Sequence, residues 1–388
     1  MPHYRSVGEV PRKRHVQFRQ PDGRLYAEEL MGEEGFSSDS ALLYHRELPT
    51  RIVKAEPVVS SDAELQPPDV LLPRHLRTHD LPSGPGDTDL VTGRSVLMGN
   101  ATVRISYAAA VADSPLYRDA DGDLLVYVEA GTGRLESVFG ALDIGPGDYV
   151  VVPTGTTHRW VVTDGPLRAL VVEARGHVTI PSQYLGKHGQ VLEQSPYCER
   201  DFRAPDAPLL VDAGETDIVV RRRGRLTRYT YPSHPFDVVG WDGCLYPYAL
   251  SIHDFEPVTG RLHQPPPVHQ TFSGPGFVVC SFVPRLLDYH PDAVPVPYNH
   301  ANVDSDEVLF YVGGDFTSRA GSGIGQGSIS LHPGGFVHGP QPGSVEKALG
   351  RASTDELAVM VDTFAPLDLA PAAYDVEDAD YPWTWARG

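Results

Sequence analysis

Three side chains in the last third of the chain have the types and the order needed to hold a transition metal: His300, Glu307 and His338. The first two lie in PYNHANVDSDEVLFYVGGD and the third in GSISLHPGGFVHGP. Read as strands, these segments put His300 in or just before a strand and Glu307 at the head of VLFYV. His338 then follows a later strand and its Pro333-Gly334 turn. In a small barrel, inward side chains of neighbouring strands converge on one point. Two imidazoles and one carboxylate leave three positions of an octahedral metal open side by side. That suits a non-haem iron(II) centre where a substrate and O2 must meet, although zinc or manganese could take the same ligands. Asp306 is the competing carboxylate, but period-two alternation turns it away from Glu307 and outward.

Further histidines could supply acid–base chemistry, since imidazole titrates near neutral pH. His263, in RLHQPPPVHQ, and His332, in SLHP, are the candidates, with His269 as the alternative to His263. Against this stands the plain count of 16 histidines, some of which must be ordinary loop residues. Arg319 could add a positive charge beside the metal or be a solvated surface group.

The elements that must position these residues read as short strands. LLVYVEA, DYVVVP, ALVVEA, DIVVRRR, FVVCSFV, VLFYVGG and SISLHP are rich in Val, Ile, Tyr and Phe and are bounded by Gly and Pro turns. Helical periodicity is nearly absent; LYAEELMG and YHRELP are weak helix or loop candidates. Residues 61–90 and 186–216 read as loop, and the acidic, aromatic tail APAAYDVEDADYPWTWARG is expected on the surface or at a subunit contact. The pattern predicts an all-β chain of jelly-roll barrels.

One internal repeat sharpens this. Residues 121–131, DGDLLVYVEAG, match residues 304–314, DSDEVLFYVGG, and each is followed by a turn, a strand, a Pro/Gly turn and a histidine, His158 or His338. The duplication predicts a bicupin, with residues 1–250 an N-terminal β domain holding a degenerate barrel and 251–388 a C-terminal barrel. In the first copy Leu124 stands for Glu307 and Tyr117 for His300. A need shared by both copies would have kept the triad in both. The metal is therefore expected in the C-terminal barrel alone, and His158 is expected to pack within the first.

Composition bounds the partners. The formal net charge is −19, which argues against nucleic acid and anionic membranes. It also means that an anionic ligand would need a local positive feature. Cys198, Cys244 and Cys280 form no CxxC pair, so neither a disulfide framework nor a thiolate zinc site is expected. The opening MPHYRSVGEVPRKRHVQ has no apolar core of a signal peptide, and a cytoplasmic location is expected.

Four blocks, LYAEELMGEEGFSSDSALLYHRELP, GRLESVFGALDIGPGDYVVVPTGTTHRW, FDVVGWDGCLYPYALSIHDFEP and PYNHANVDSDE…LHPGGFVHGP, run in order along most of the chain. Together they resemble homogentisate 1,2-dioxygenase in its shorter bacterial form. The resemblance implies an Fe(II) enzyme that opens homogentisate with O2 to maleylacetoacetate, in homo-oligomers built on trimers (trimer or dimer of trimers). It implies His300, Glu307 and His338 as iron ligands, His263 as acid–base residue and His332 as a close neighbour of the metal. Tyr298 and Asn302 flank the first ligand and, with Phe316 and His338, are expected to contact the substrate. Phe316 stands where better-known members have a substrate-contacting Tyr, and one extra residue separates His300 from Glu307. Open alternatives are a dioxygenase of another dihydroxylated aromatic, of gentisate or hydroquinone type, a metal-dependent cupin isomerase, and a binding or storage bicupin.

Overall fold

A computed structural model of the chain describes residues 3–59, 63–82 and 88–387. Among them, α-helix is limited to two five-residue pieces, Ser344–Ala348 and Pro371–Asp375. No helix is long and apolar enough to cross a membrane. The architecture is an all-β bicupin. All seven strand readings above fall on strands.

The two barrels share one strand order. In the first, Ser95–Gly99, Val103–Ala110, His158–Ala174, Leu124–Ser137 and Asp148–Val152 are successive antiparallel neighbours. In the second, Gln270–Gly274, Phe277–Phe282, Leu357–Thr363, Asp306–Gly313 and Ser328–His332 follow the same path. Aromatic side chains join the barrels: Phe310 meets Tyr107 and Tyr127 at 6.0 and 6.3 Å, and Tyr149 meets Phe272 at 5.6 Å. Such offset and edge-on ring pairs add to simple area burial.

The barrels also exchange strands. Arg74–Arg77 pairs with Ser328–His332 and so extends the second barrel's sheet, while Asp368–Leu369 pairs with Ser95–Gly99 of the first. Residues 61–90 are therefore not all loop; within that stretch, residues 61, 62 and 83–87 lie outside those described. The weak helix candidates are also corrected. LYAEELMG contributes the strand Ala27–Gly32, paired in register with Ser40–His45; of YHRELP only Tyr44 and His45 are strand, and the rest is loop. Ala27–Gly32 alternates between more and less exposed positions, as an outer strand does, whereas residues 41–45 are all buried.

The small N-terminal sheet is fastened by His45. Its Nδ1 donates to Asp237 Oδ1 at 2.7 Å and its Nε2 to Glu29 Oε2 at 2.9 Å. Both nitrogens facing carboxylates defines an imidazolium. Burial opposes that charge, but the bonds to Asp237 and Glu29 outweigh it and raise the pKa to about 9. A raised folded-state pKa stabilises the fold fully below the unfolded value, and the gain is lost as pH rises through about 9. His45→Gln is expected to cost roughly 3 kcal/mol near pH 6.5, the scale for breaking a buried pair. The cost should shrink towards pH 9.5. Denaturant unfolding of both proteins at the two pH values measures it, and a pH-independent difference would rule out the charged role.

Candidate metal centre and cavity

His300 and His338 meet across a single antiparallel bridge. Each backbone N–H donates to the other's carbonyl at 2.8 Å, and the two rings lie 4.3 Å apart. Tyr117 and His158 hold the same bridge position in the first barrel. Glu307 projects between the pair: its Oε2 is 3.5 Å from His300 Nε2 and its Oε1 3.5 Å from His338 Nε2. The three ligand atoms lie within 4.8 Å of one another.

The donor set fits a metal. His338 Nδ1–H donates to the Phe336 carbonyl at 3.0 Å, which fixes the tautomer and leaves Nε2 as a lone pair. That Nε2 is shut off from solvent with no hydrogen-bond partner. Burial alone would raise the pKa of Glu307, but contacts led by His300 and His332 overcome it and hold the carboxyl well below its usual range. A buried carboxylate facing an orphaned imidazole lone pair repels it unless a cation sits between them.

The neighbours of the triad are fixed in turn. His332 lies across the ladder from Glu307 and is wholly buried. Its Nδ1 donates to Glu307 Oε1 at 3.0 Å, and its Nε2 accepts from the Tyr381 hydroxyl at 3.1 Å. Its ring stacks on His338 at 4.2 Å and 10°. Burial, aided by the charge of Arg319, lowers its pKa to about 3, so it is a neutral positioning group. The tail expected at the surface instead closes this side of the site, with Tyr381 buried and Trp385 5.2 Å from it. Asp306 is corrected as well: it faces away from the triad yet is buried, accepting the N–H groups of Gly334 and Leu367 at 2.7 and 2.8 Å. Asp123 does the same for Thr154 and Val178 in the first barrel. In both copies the turn to the histidine passes through a left-handed glycine, Gly155 at φ 79° and Gly335 at φ 77°.

A cavity of about 280 Å³ opens on the triad, room for one substituted ring. His263, Tyr298, Asn302, His300, Glu307 and His269 line it, whereas His332 and His338 are packed behind. Phe316 is not in that wall. Its ring packs edge-on to Tyr311 at 5.0 Å, and Thr317, Ser318 and Arg319 line the cavity in its place. His263 Nδ1 is 3.3 Å from Asp288 Oδ2 and its Nε2 is 3.3 Å from the Tyr298 hydroxyl. Asp288 carries no sequence signal, because its role exists only once the two loops meet. His269 is stacked on Phe282 at 4.6 Å, and burial first, then Arg285, lowers its pKa to about 3.

Arg319 is buried, not solvated. Nε donates to the Tyr311 hydroxyl at 3.1 Å and Nη1 to the Gly339 carbonyl at 2.7 Å. No carboxylate lies within ion-pair distance of it among the described residues. Arg285, also lining the cavity, has its pKa lowered by burial. The cavity thus holds arginines beside its carboxylates, Arg285 and Arg319 among them.

The profile of a family described as homogentisate 1,2-dioxygenase N-terminal matches residues 10–252. The chain belongs to this family. A protein of Saccharolobus solfataricus named "Putative dioxygenase SSO1533" is 40% identical over 394 residues, covering 98% of each chain. Membership makes the chain a metal-dependent oxidoreductase of the dioxygenase kind. Solved structures with some likeness include a cupin 2 conserved barrel domain protein from Leptotrichia buccalis, at 9% identity and TM-score 0.34 over 76% of this chain and 98% of that one. A point mutant of Bacillus subtilis oxalate decarboxylase matches at 10% and 0.34, over 79% and 78%.

Removing His332 should loosen the metal without emptying the cavity wall. His332→Ala is expected to weaken metal affinity about 10–100-fold, the usual cost of losing a ligand's orienting partner. Titration of stripped protein with Fe(II) against a chelator measures it; unchanged affinity would mean Glu307 needs no such support.

Proposed function

We propose that this enzyme is an Fe(II)-dependent dioxygenase that opens the ring of homogentisate, adding both atoms of O2 to give maleylacetoacetate. The observation that carries the reading is the His300–Glu307–His338 cluster facing a ring-sized cavity whose wall holds an unpaired, buried Arg319. Iron(II) bound by the triad would supply the electron-transfer chemistry that lets O2 react with a hydroquinone ring.

The chain's own residues then divide the remaining work. Arg319 gives the substrate carboxylate a buried cation that has no carboxylate within ion-pair distance among the described residues. His263 takes the phenolic proton at Nε2, with Asp288 holding Nδ1–H so that the lone pair faces Tyr298 and the cavity. Apolar walls, including Leu309 and Met360, pack against the ring and keep bulk water away. His332 keeps Glu307 aimed. The family match to residues 10–252 supports the substrate assignment.

On this reading the metal belongs to the second barrel alone. Elemental analysis should give about one iron per chain, lost in Glu307→Ala. Two would direct attention to Glu33, Asp123 and His177, whose ligand atoms also lie within 4.8 Å of one another. Fe(II)-loaded protein should take up O2 with homogentisate at a higher kcat/KM than with gentisate or hydroquinone; the reverse order would overturn the substrate.

His263→Gln should retain iron and lose on the order of 10²-fold in turnover. Normal turnover in that variant would transfer the role to His269.

A further inference from the structure

Asp362 is the ladder partner of Glu307 on one side, as His332 is on the other. Directly opposed residues of an antiparallel pair point to the same face, about 5 Å apart at Cβ. A row His332–Glu307–Asp362 therefore crosses three strands on the barrel's inner face. Its two ends are unlike. His332 is fully engaged by Glu307 and Tyr381. Asp362 lines the cavity, and its Oδ1 is closed off from solvent without a hydrogen-bond partner. No cation pairs with it among the described residues: Arg285 donates to the Val283 carbonyl, Arg351 to Asp315 and Arg319 to Gly339.

Buried polar groups are nearly always satisfied, and an exception inside a binding cavity points to a ligand that completes it. The ligand's chemistry follows from what the other groups cannot do. Guanidinium groups only donate, so the arginines suit a carboxylate but cannot accept from a hydroxyl. Among the acidic groups of the cavity, Glu307 is committed to the metal, and Glu356 sits under the charges of Arg285 and Arg319. Asp362 is left as the acidic group with no partner of its own, one strand over from the metal.

We propose that Asp362 hydrogen-bonds the ring hydroxyl that is not directed at the metal, and so makes the enzyme prefer dihydroxylated rings to monohydroxylated ones. The proposal rests on the ring-cleaving reading above. A carboxyl group serves this purpose whether it accepts the hydroxyl proton or donates its own, so the contact is a recognition device and not a step in proton transfer. It would explain why a carboxyl side chain is kept beside Glu307, where it raises the cost of burying both.

The test is anaerobic binding of homogentisate and of 2-hydroxyphenylacetate, which lacks the second hydroxyl, to Fe(II)-loaded protein. Metal content is measured in every sample. The wild type should bind homogentisate about tenfold more tightly, the worth of one good hydrogen bond. Asp362→Ala should bring the two affinities together, leaving that for 2-hydroxyphenylacetate unchanged. Asp362→Asn keeps the shape and serves if the alanine protein does not fold; it should show a preference below tenfold. A full tenfold preference in either variant, equal weakening of both ligands, or loss of iron would overturn the assignment. If the wild type binds neither ligand, the ring-cleaving reading falls first and takes this proposal with it.

Discussion

A carboxylate buried in the interior of a β-barrel is the constraint on which the rest of this site depends. Glu307 cannot be ionised there unless positive charge or hydrogen-bond donors surround it. The fold supplies one imidazole from a loop, one from a turn and one from the neighbouring strand, each arriving on a different element. Two of the three keep a lone pair available for a cation. The third is spent on orientation and is itself held by a tyrosine hydroxyl from the tail. The single bridge between His300 and His338 sets the separation of the first two, so ligand geometry is enforced by backbone hydrogen bonds more than by side-chain packing.

The first barrel shows what the scaffold looks like without that constraint. His158 keeps the turn, the bridge to residue 117 and even the Nδ1–H bond to a carbonyl two residues back. Leu124 and Tyr117 replace the other two ligands, and the His158 ring is wedged edge-on between Tyr117 and Trp160 at 5.7 and 5.8 Å. Burial lowers its pKa to about 4. Asp123 and Asp306 do identical backbone work in the two copies, which separates what the fold needs from what the chemistry needs.

Much of this was legible in the residues. Runs such as DYVVV and SISLH announce strands because β-branched and aromatic side chains suit a pleated, covered surface. The repeat made the triad visible, since the two copies share the histidine and differ at the other two ligand positions. Other features were beyond the reach of local pattern. Alternation placed Asp306 on the face opposite Glu307 but could not tell that this face is also covered. LYAEELMG reads as helix from its composition, yet the register with Ser40–His45 makes it a strand. Resemblance assigns Phe316 to the cavity, and a ring contact with Tyr311 holds it outside. Asp288, Tyr381 and Asp362 matter through partners far away in sequence, and no spacing rule encodes such meetings.

The strand exchange between the barrels bears on how the duplication has aged. Arg74–Arg77, from early in the chain, borders the sheet that carries Glu307, and Asp368–Leu369, from late in the chain, borders the other. Ion pairs tie the early strand to the tail as well, Arg74 to Glu377 and Arg77 to Asp378, each at 2.6 Å. Each barrel's sheet is thus bordered by a strand from a distant part of the chain. A change that loosens the first barrel's outer strands therefore reaches the sheet that carries Glu307, through backbone pairing and not through the cavity.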